Sequence, residues 1–193
     1  MRRALAVLPF ALILQFKPAD IDRALTLARW PTTDAERVRF HERYQFAVNG
    51  RVFEYFAVQR LEVITEFRRL VLIAQEHARM NDLFGRGGLR DVEAAMQPGR
   101  GRLSIVVHLT FDPTKYITGV PDVKLAMDGS TMQLPIDVSS SGVYGGGDSP
   151  VLIGARVEAV FDAPSVGQET RRVSVYREMN EIARVPIEFA KLE

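Results

Sequence analysis

The spacing of hydrophobic residues along the chain changes near Gly99. Before that point apolar residues recur every three or four positions, which is typical of amphipathic helices. The clearest helix is predicted from Glu62 to about Asn81. Its apolar face carries Val63, Ile64, Phe67, Leu70, Val71, Ala74 and Ala78. Shorter helices are predicted from Pro18 to Arg29 and after Thr33, which fits a capping box with Glu36.

After Gly99 apolar and polar residues alternate, as in strands with one buried face. The strongest alternation runs over 103–111 and 155–161, and the other predicted strands are 123–127, 134–138, 173–177 and 183–189. Pro186 cannot donate a ladder hydrogen bond, so the last strand is expected at an edge or with this position outward. About six strands of this spacing predict an antiparallel β-sandwich of immunoglobulin-like size. The predicted class is therefore α+β, with N-terminal helices followed by the sandwich.

The segment 44–55 fits two structures. Asn49-Gly50 is a strong signal for a tight hairpin, which would pair Phe46 with Phe53 and Tyr44 with Tyr55. Alternatively, Asn49 could cap a helix that begins near Arg51. The hairpin is the preferred interpretation.

The N-terminus has the pattern of an export signal. Arg2 and Arg3 precede an apolar run, Ala4–Phe16, as in a secretory signal peptide. The run is shorter than the roughly 20 residues that a membrane-spanning helix needs. One alternative is an uncleaved membrane anchor. The other is a buried core segment, and in that case the protein would stay in the cytoplasm. The predicted organisation is 1–19 signal peptide or anchor, 20–98 mostly helical, and 99–193 sandwich.

Composition excludes several classes of function. The chain has 193 residues, a formal net charge of +1 and no cysteine. Disulfides, thiol catalysis and thiolate metal sites are therefore absent. The charges are mixed in sign along the chain, so nucleic-acid binding is not expected. Membrane contact is expected only through the N-terminal segment.

The histidines and acidic residues give no catalytic or metal motif. His41, His77 and His108 lack the spacing of a zinc site, and His108 is expected on the outer face of its strand. Single aspartates occur around loops without the spacing of a calcium loop: Asp122, Asp128, Asp137, Asp148 and Asp162. A site assembled in space from Asp128 and Asp148 is left open. No catalytic residue, cofactor or metal ligand is therefore assigned.

The segment 85–88, Gly-Arg-Gly-Gly, follows a predicted helix. A phosphate-binding loop would instead follow a strand and open a helix, so a helix cap and linker are predicted. Further arginines, Arg90, Arg100 and Arg102, could extend an anion patch with Arg86. Asp91 and Glu93 lie among them, which favours an ordinary solvated surface.

Two tyrosines in predicted loops could bind a sugar or a peptide. Tyr144 lies in the glycine-rich segment 142–150, and Tyr116 lies between Pro113 and Pro121. Loops on a rigid scaffold commonly carry binding residues. We therefore expect an exported cell-envelope or periplasmic binding or structural module without catalytic activity, whose partner is an envelope protein or a saccharide. The alternative is a small exported hydrolase with its site at the junction of helices and sandwich.

Overall fold

A computed structural model describes residues 18–29, 35–48, 52–82, 84–85, 89–129, 132–146 and 150–192. The Ala4–Phe16 run, Thr33, the Asn49-Gly50 pair, Arg86 and Asp148 lie outside these residues, so the predictions that depend on them stay predictions. The helices are α1 (Pro18–Leu27), α2 (Ala35–Glu42), α3 (Glu66–Arg79), α4 (Leu89–Met96) and α5 (Ala163–Val166). The strands are β1 (Gln45–Ala47), β2 (Phe56–Ile64), β3 (Arg102–Phe111), β4 (Lys124–Met127), β5 (Asp137–Tyr144), β6 (Leu152–Asp162), β7 (Thr170–Arg177) and β8 (Asn180–Glu188).

The strands form two antiparallel sheets. The first has the order β1-β2-β3-β6-β5, and the second has the order β4-β7-β8. Side chains from both sheets share one hydrophobic cluster, to which β3 contributes Leu103, Ile105, Val107, Leu109 and Phe111. Pro186 is exposed on β8, an edge strand, as predicted. The α+β class is confirmed, and the immunoglobulin-like sandwich stays a prediction.

The helices form a second hydrophobic cluster. Most of its members come from α1, α2, α3 and α4, among them Phe40, Phe67, Leu70 and Val71, and Tyr44 joins them from the turn after α2. Thr65 caps α3, because its side chain accepts a hydrogen bond from the Arg68 amide at 3.2 Å. No helix among the described residues is long and apolar enough to cross a membrane.

The amphipathic helix begins four residues later than predicted. Glu62, Val63 and Ile64 belong to β2, and α3 begins at Glu66 and ends at Arg79. The buried face predicted for Phe67, Leu70, Val71 and Ala74 is confirmed. Val63 and Ile64 fit both the helical and the strand pattern of apolar residues. They lie in the strand because Thr65 caps the helix after them and because β-branched residues favour strands.

The strands before Gly99 pair differently from the predicted hairpin. Phe46 of β1 pairs with Leu61 of β2, so the predicted pairing with Phe53 is wrong. Phe53 instead bridges Phe56. β2 then pairs with β3 over its whole length. The five-stranded sheet therefore combines strands from both sides of Gly99.

Candidate functional site

The outer face of the five-stranded sheet carries a group of charged residues. Val106 of β3 lies between Glu62 of β2 and Glu158 of β6. His108, two residues further along β3, lies between Arg60 and Arg156 in the same two strands. Opposite residues in antiparallel strands share a face, so all six side chains project away from the shared hydrophobic cluster. They lie where the helices meet the sheet.

Glu62 is the centre of this group. Its carboxylate contacts the Arg68 guanidinium through one oxygen and His108 Nε2, at 2.7 Å, through the other. Burial alone would raise the pKa of Glu62. The hydrogen bond with His108 and the charge of Arg68 outweigh burial and lower the pKa to about 2. Glu62 is therefore ionised at neutral pH although it is buried.

Arg68 connects the helices to the sheet. Only 1% of its surface is exposed, and it also donates to the Val63 carbonyl at 2.5 Å. Its guanidinium lies 4.9 Å from the centre of the Tyr44 ring, which belongs to the helical cluster. One charged side chain thus contacts the strand end, the Glu62 carboxylate and an aromatic ring of the second cluster.

His41 is held neutral beside this group. Burial, followed by the charges of Arg68 and Arg37, lowers the pKa of His41 to about 4. Its Nε2 lies 2.7 Å from the Gln75 side-chain nitrogen. An unprotonated ring can accept a hydrogen bond from that amide, which agrees with the lowered pKa.

A carboxylate that bonds an imidazole can support nucleophilic catalysis when a hydroxyl or thiol contacts the same ring. Among the described residues, no hydroxyl is hydrogen-bonded to His108. Ser104, on the same strand face, is 2.9 Å from Arg69 Nη2. The described residues also contain no group of three or more His, Asp or Glu side chains placed to hold a metal ion. Within this part of the chain, the arrangement positions charge and assembles no nucleophile.

The other two histidines, His41 and His77, lie apart from each other, and neither is hydrogen-bonded to Glu62 or His108. His41 lies at the border of the charged group, whereas His77 contacts Asp82 at 2.8 Å and stacks on Phe84. The contact with Asp82 closes the turn that ends α3, where the Asp82 amide bonds the His77 carbonyl. His77 therefore has a structural role at the helix end.

Two of the candidate aspartates accept hydrogen bonds from backbone amides, and Gly85 lies in a turn. Asp128 accepts a hydrogen bond from the Arg172 amide at 2.6 Å, and Asp162 caps α5 through the Ser165 amide. Gly85 has a φ of +74° and lies in a turn, but α3 ends at Arg79 with Met80 as its C-cap, so the predicted helix cap at Gly85 is wrong. These residues shape turns in the part of the chain that the structure describes.

The two tyrosines lie on different parts of the surface. Tyr116, which is 89% exposed, borders a cavity of about 390 Å³ together with Glu54, Tyr55 and the rest of segment 115–119. Tyr144 is 62% exposed and ends β5. The segment from Gly142 to Tyr144, predicted as a loop, is therefore part of a strand.

β5 forms an open edge of the five-stranded sheet. It follows β6 in the strand order, and all its residues except Gly142 are exposed. We call β5 and the exposed apolar side chains that flank it the β5 edge surface. Its large apolar members are Leu134, Ile136, Val138, Val143, Tyr144, Val151 and Ile153.

Sequence reasoning missed Glu62 and its neighbours. The sequence pattern predicts that Glu62 begins a helix, and it gives no role to Arg60 or Arg156. One signal was available: Val106 is apolar at a polar position of the β3 alternation, which indicates that this face is covered there. Comparison with protein-family models, curated proteins and solved structures finds no match.

Proposed function

We propose that this chain is an exported module of the cell envelope that acts by binding, without catalytic activity. The β5 edge surface is the observation that supports this proposal. The Arg2-Arg3 pair and the Ala4–Phe16 run support export.

An open edge strand presents unpaired backbone donors and acceptors to a further strand, and proteins usually block such edges. β8 carries Pro186 and several charged side chains, whereas β1 and β4 have three and four residues. β5 has eight residues, one charged residue, Asp137, and neither lysine nor proline. Among the described edge strands, β5 is the one that lacks these protections.

The occupant that fits β5 is a second copy of this chain. In this arrangement the β5 strands of the two copies pair antiparallel about a two-fold axis that passes through Ser141. The same face of each sheet then points to the same side, and Val138 of each copy lies opposite Tyr144 of the other. Pairs of an aromatic and a β-branched residue across antiparallel strands are favourable. Asp137 would face Gly145 in this register, so no charge opposes a like charge. A saccharide is the other predicted class of partner. It would stack on an exposed aromatic ring such as that of Tyr116 and would not need the unpaired backbone groups of β5.

The test is the mass of the purified full-length chain in solution, measured by light scattering over a range of concentrations. We expect a dimer that dissociates on dilution. Ser141→Lys would place two charges at the axis and is expected to give a monomer, whereas Gln168→Lys, at an exposed position away from β5, should leave the dimer intact. A wild-type chain that stays monomeric at about 100 μM, or equal effects of both variants, would contradict assembly through β5.

Export is tested separately. Residues 1–30 fused to a reporter that is active only outside the cytoplasm should give signal. Leu12→Arg, which places a charge in the apolar run, should abolish the signal, and Leu12→Ile should preserve it. A silent wild-type fusion that accumulates in the cytoplasm would refute export without affecting the β5 proposal.

The Glu62–His108 contact supports hydrolysis as a second candidate. The pair requires a nucleophile from outside the described residues or from an ordered water molecule. The full-length chain should then hydrolyse an ester or glycoside substrate, and His108→Gln should abolish the activity while the circular dichroism spectrum is unchanged. Equal activity of both proteins would exclude a role for the pair.

A further inference from the structure

Three basic side chains lie side by side on the outer face of the five-stranded sheet. Arg60, His108 and Arg156 occupy opposed positions on β2, β3 and β6, and Ser141 of β5 continues the row beyond Arg156. We call these four residues the basic row. We propose that the basic row binds a phosphate group.

The spacing suits one small ligand. Neighbouring strands are about 4.8 Å apart, so the backbones that carry Arg60 and Arg156 are separated by about 10 Å, with His108 between them. Both arginine side chains are long enough to reach a ligand above His108. Arg156 and Ser141 are exposed, so the ligand can approach from solvent on that side.

The charges in this region do not balance. Two arginines flank His108 on the same face of the sheet, and like charges that share a sheet face repel each other. Glu62 already contacts Arg68 and His108. Burial lowers the pKa of Arg69, and the charges of Glu158, the other carboxylate opposite Val106, and of Glu66 partly offset this effect. Neither Arg60 nor Arg156 forms an ion pair with a carboxylate of the described residues, so the two permanent charges of the basic row are not directly neutralised.

The arginines also have hydrogen-bonding capacity to spare. Arg60 Nε is shielded from solvent and bonds no atom of the described residues. Arg156 makes no hydrogen bond or ion pair with a described residue, although its charge lowers the pKa of Glu62. Guanidinium groups bind phosphate oxygens through paired N–H donors, and the Ser141 hydroxyl adds one more donor. A phosphate group would supply both the negative charge and the acceptors that the row lacks.

His108 is fixed in place for this role. Glu62 accepts a hydrogen bond from Nε2 of its ring, which leaves Nδ1 for a ligand. An unprotonated Nδ1 is an acceptor, so it would bond the P–OH of a monoanionic phosphate group, and a protonated Nδ1 would donate to a phosphate oxygen. Arg68 holds Glu62 from the opposite side, so the ring position follows from buried contacts. We assign Glu62 and Arg68 as positioning residues, and Arg60, His108 and Arg156 as the residues that contact phosphate.

The test is titration of the full-length chain with inorganic phosphate at constant ionic strength, followed by calorimetry. We expect saturable binding, which Arg156→Gln weakens at least about tenfold, since the variant removes a charged donor that pairs with phosphate oxygens. Arg60→Gln should act in the same direction. Arg172→Gln, an exposed arginine of the other sheet, is the matched control and should change the affinity less than twofold. A linear, non-saturable response, or equal losses in Arg156→Gln and Arg172→Gln, would overturn the proposal.

Further titrations distinguish a phosphate ligand from a carboxylate, and a lipid headgroup from free phosphate. Succinate that binds more tightly than phosphate would overturn the assignment of a phosphate group in favour of a carboxylate. Vesicles of phosphatidylglycerol in phosphatidylcholine test a lipid headgroup. Vesicle binding that Arg156→Gln abolishes would identify the headgroup as the source, and binding of inorganic phosphate alone would identify the free ion.

Discussion

Glu62→Gln is the most informative single substitution, because it removes one charge from a buried pair. Arg68 would keep its charge in a site where it is 1% exposed. Removing one partner of a buried ion pair costs about 3–5 kcal/mol. A fall of the pKa of Glu62 from 4.5 to about 2 corresponds to about 3 kcal/mol of stabilisation of the ionised form. Both estimates predict a loss of about 3 kcal/mol in the free energy of unfolding.

Urea unfolding at pH 7, followed by far-UV circular dichroism, measures this loss. Glu158→Gln is the matched control, because Glu158 opposes the same Val106 from β6 but is only half-buried. We expect the control to cost less than about 1 kcal/mol. The double variant Glu62→Gln/Arg68→Met should lose less stability than the two single variants together, since it leaves no unpaired buried charge. Equal losses in Glu62→Gln and Glu158→Gln would refute this reasoning.

The same pair predicts a pH dependence. Folding lowers the pKa of Glu62, so its contribution is complete above about pH 4.5 and is lost as the pH falls towards 2. The difference in stability between the wild type and Glu62→Gln should therefore shrink over this interval. A difference that stays constant from pH 5 to pH 2.5 would show that the charge of Glu62 is not responsible.

Three further predictions follow from other parts of the structure. Because folding lowers the pKa of His41 from 6.5 to about 4, stability should fall as the pH decreases through that interval, and His41→Gln should reduce the fall in urea titrations. Phe67→Ala should cost about 3–5 kcal/mol in thermal or urea unfolding, because the ring is buried against Phe40, whereas Met179→Ala, at an exposed turn, should be neutral. Gly154→Ala should be destabilising, since a Cβ there would lie 2.5 Å from the Leu109 carbonyl oxygen, and Gly119→Ala, with no atom within 4 Å, is its control.

Two strands after Gly99 were predictable from the sequence, although one of them, β3, is buried on both faces over 103–107. β3 and β6 have regular alternation, and the structure places them close to the predicted bounds. β2 was missed for two physical reasons. A register shift between Val58 and Arg60 interrupts its period, and Leu61, Glu62 and Val63 are all buried, so both faces are covered. The end of β2 has no regular apolar alternation, and its apolar residues Val63 and Ile64 also fit the period of the helix that follows.

The candidate site was less predictable than the fold. Glu62 and His108 are 46 residues apart, and their contact depends on the pairing of β2 with β3. The basic row depends on the same register and on that of β6. β5 was placed partly in a loop because serine and glycine have low strand propensity. These residues meet through tertiary pairing, which local spacing does not encode.

The position of β4 in the chain affects the order of folding. The chain leaves the first sheet after β3, forms β4 in the second sheet, and returns to the first sheet at β5. β4 pairs with β7, and Lys124 lies opposite Tyr176. Ribosomes add about 5–20 residues per second, so the apolar inner side of β3 stays uncovered for seconds until residues 170–188 have been made. The chain thus remains incompletely folded through most of its synthesis, and its second sheet can form only after the last two strands have been made.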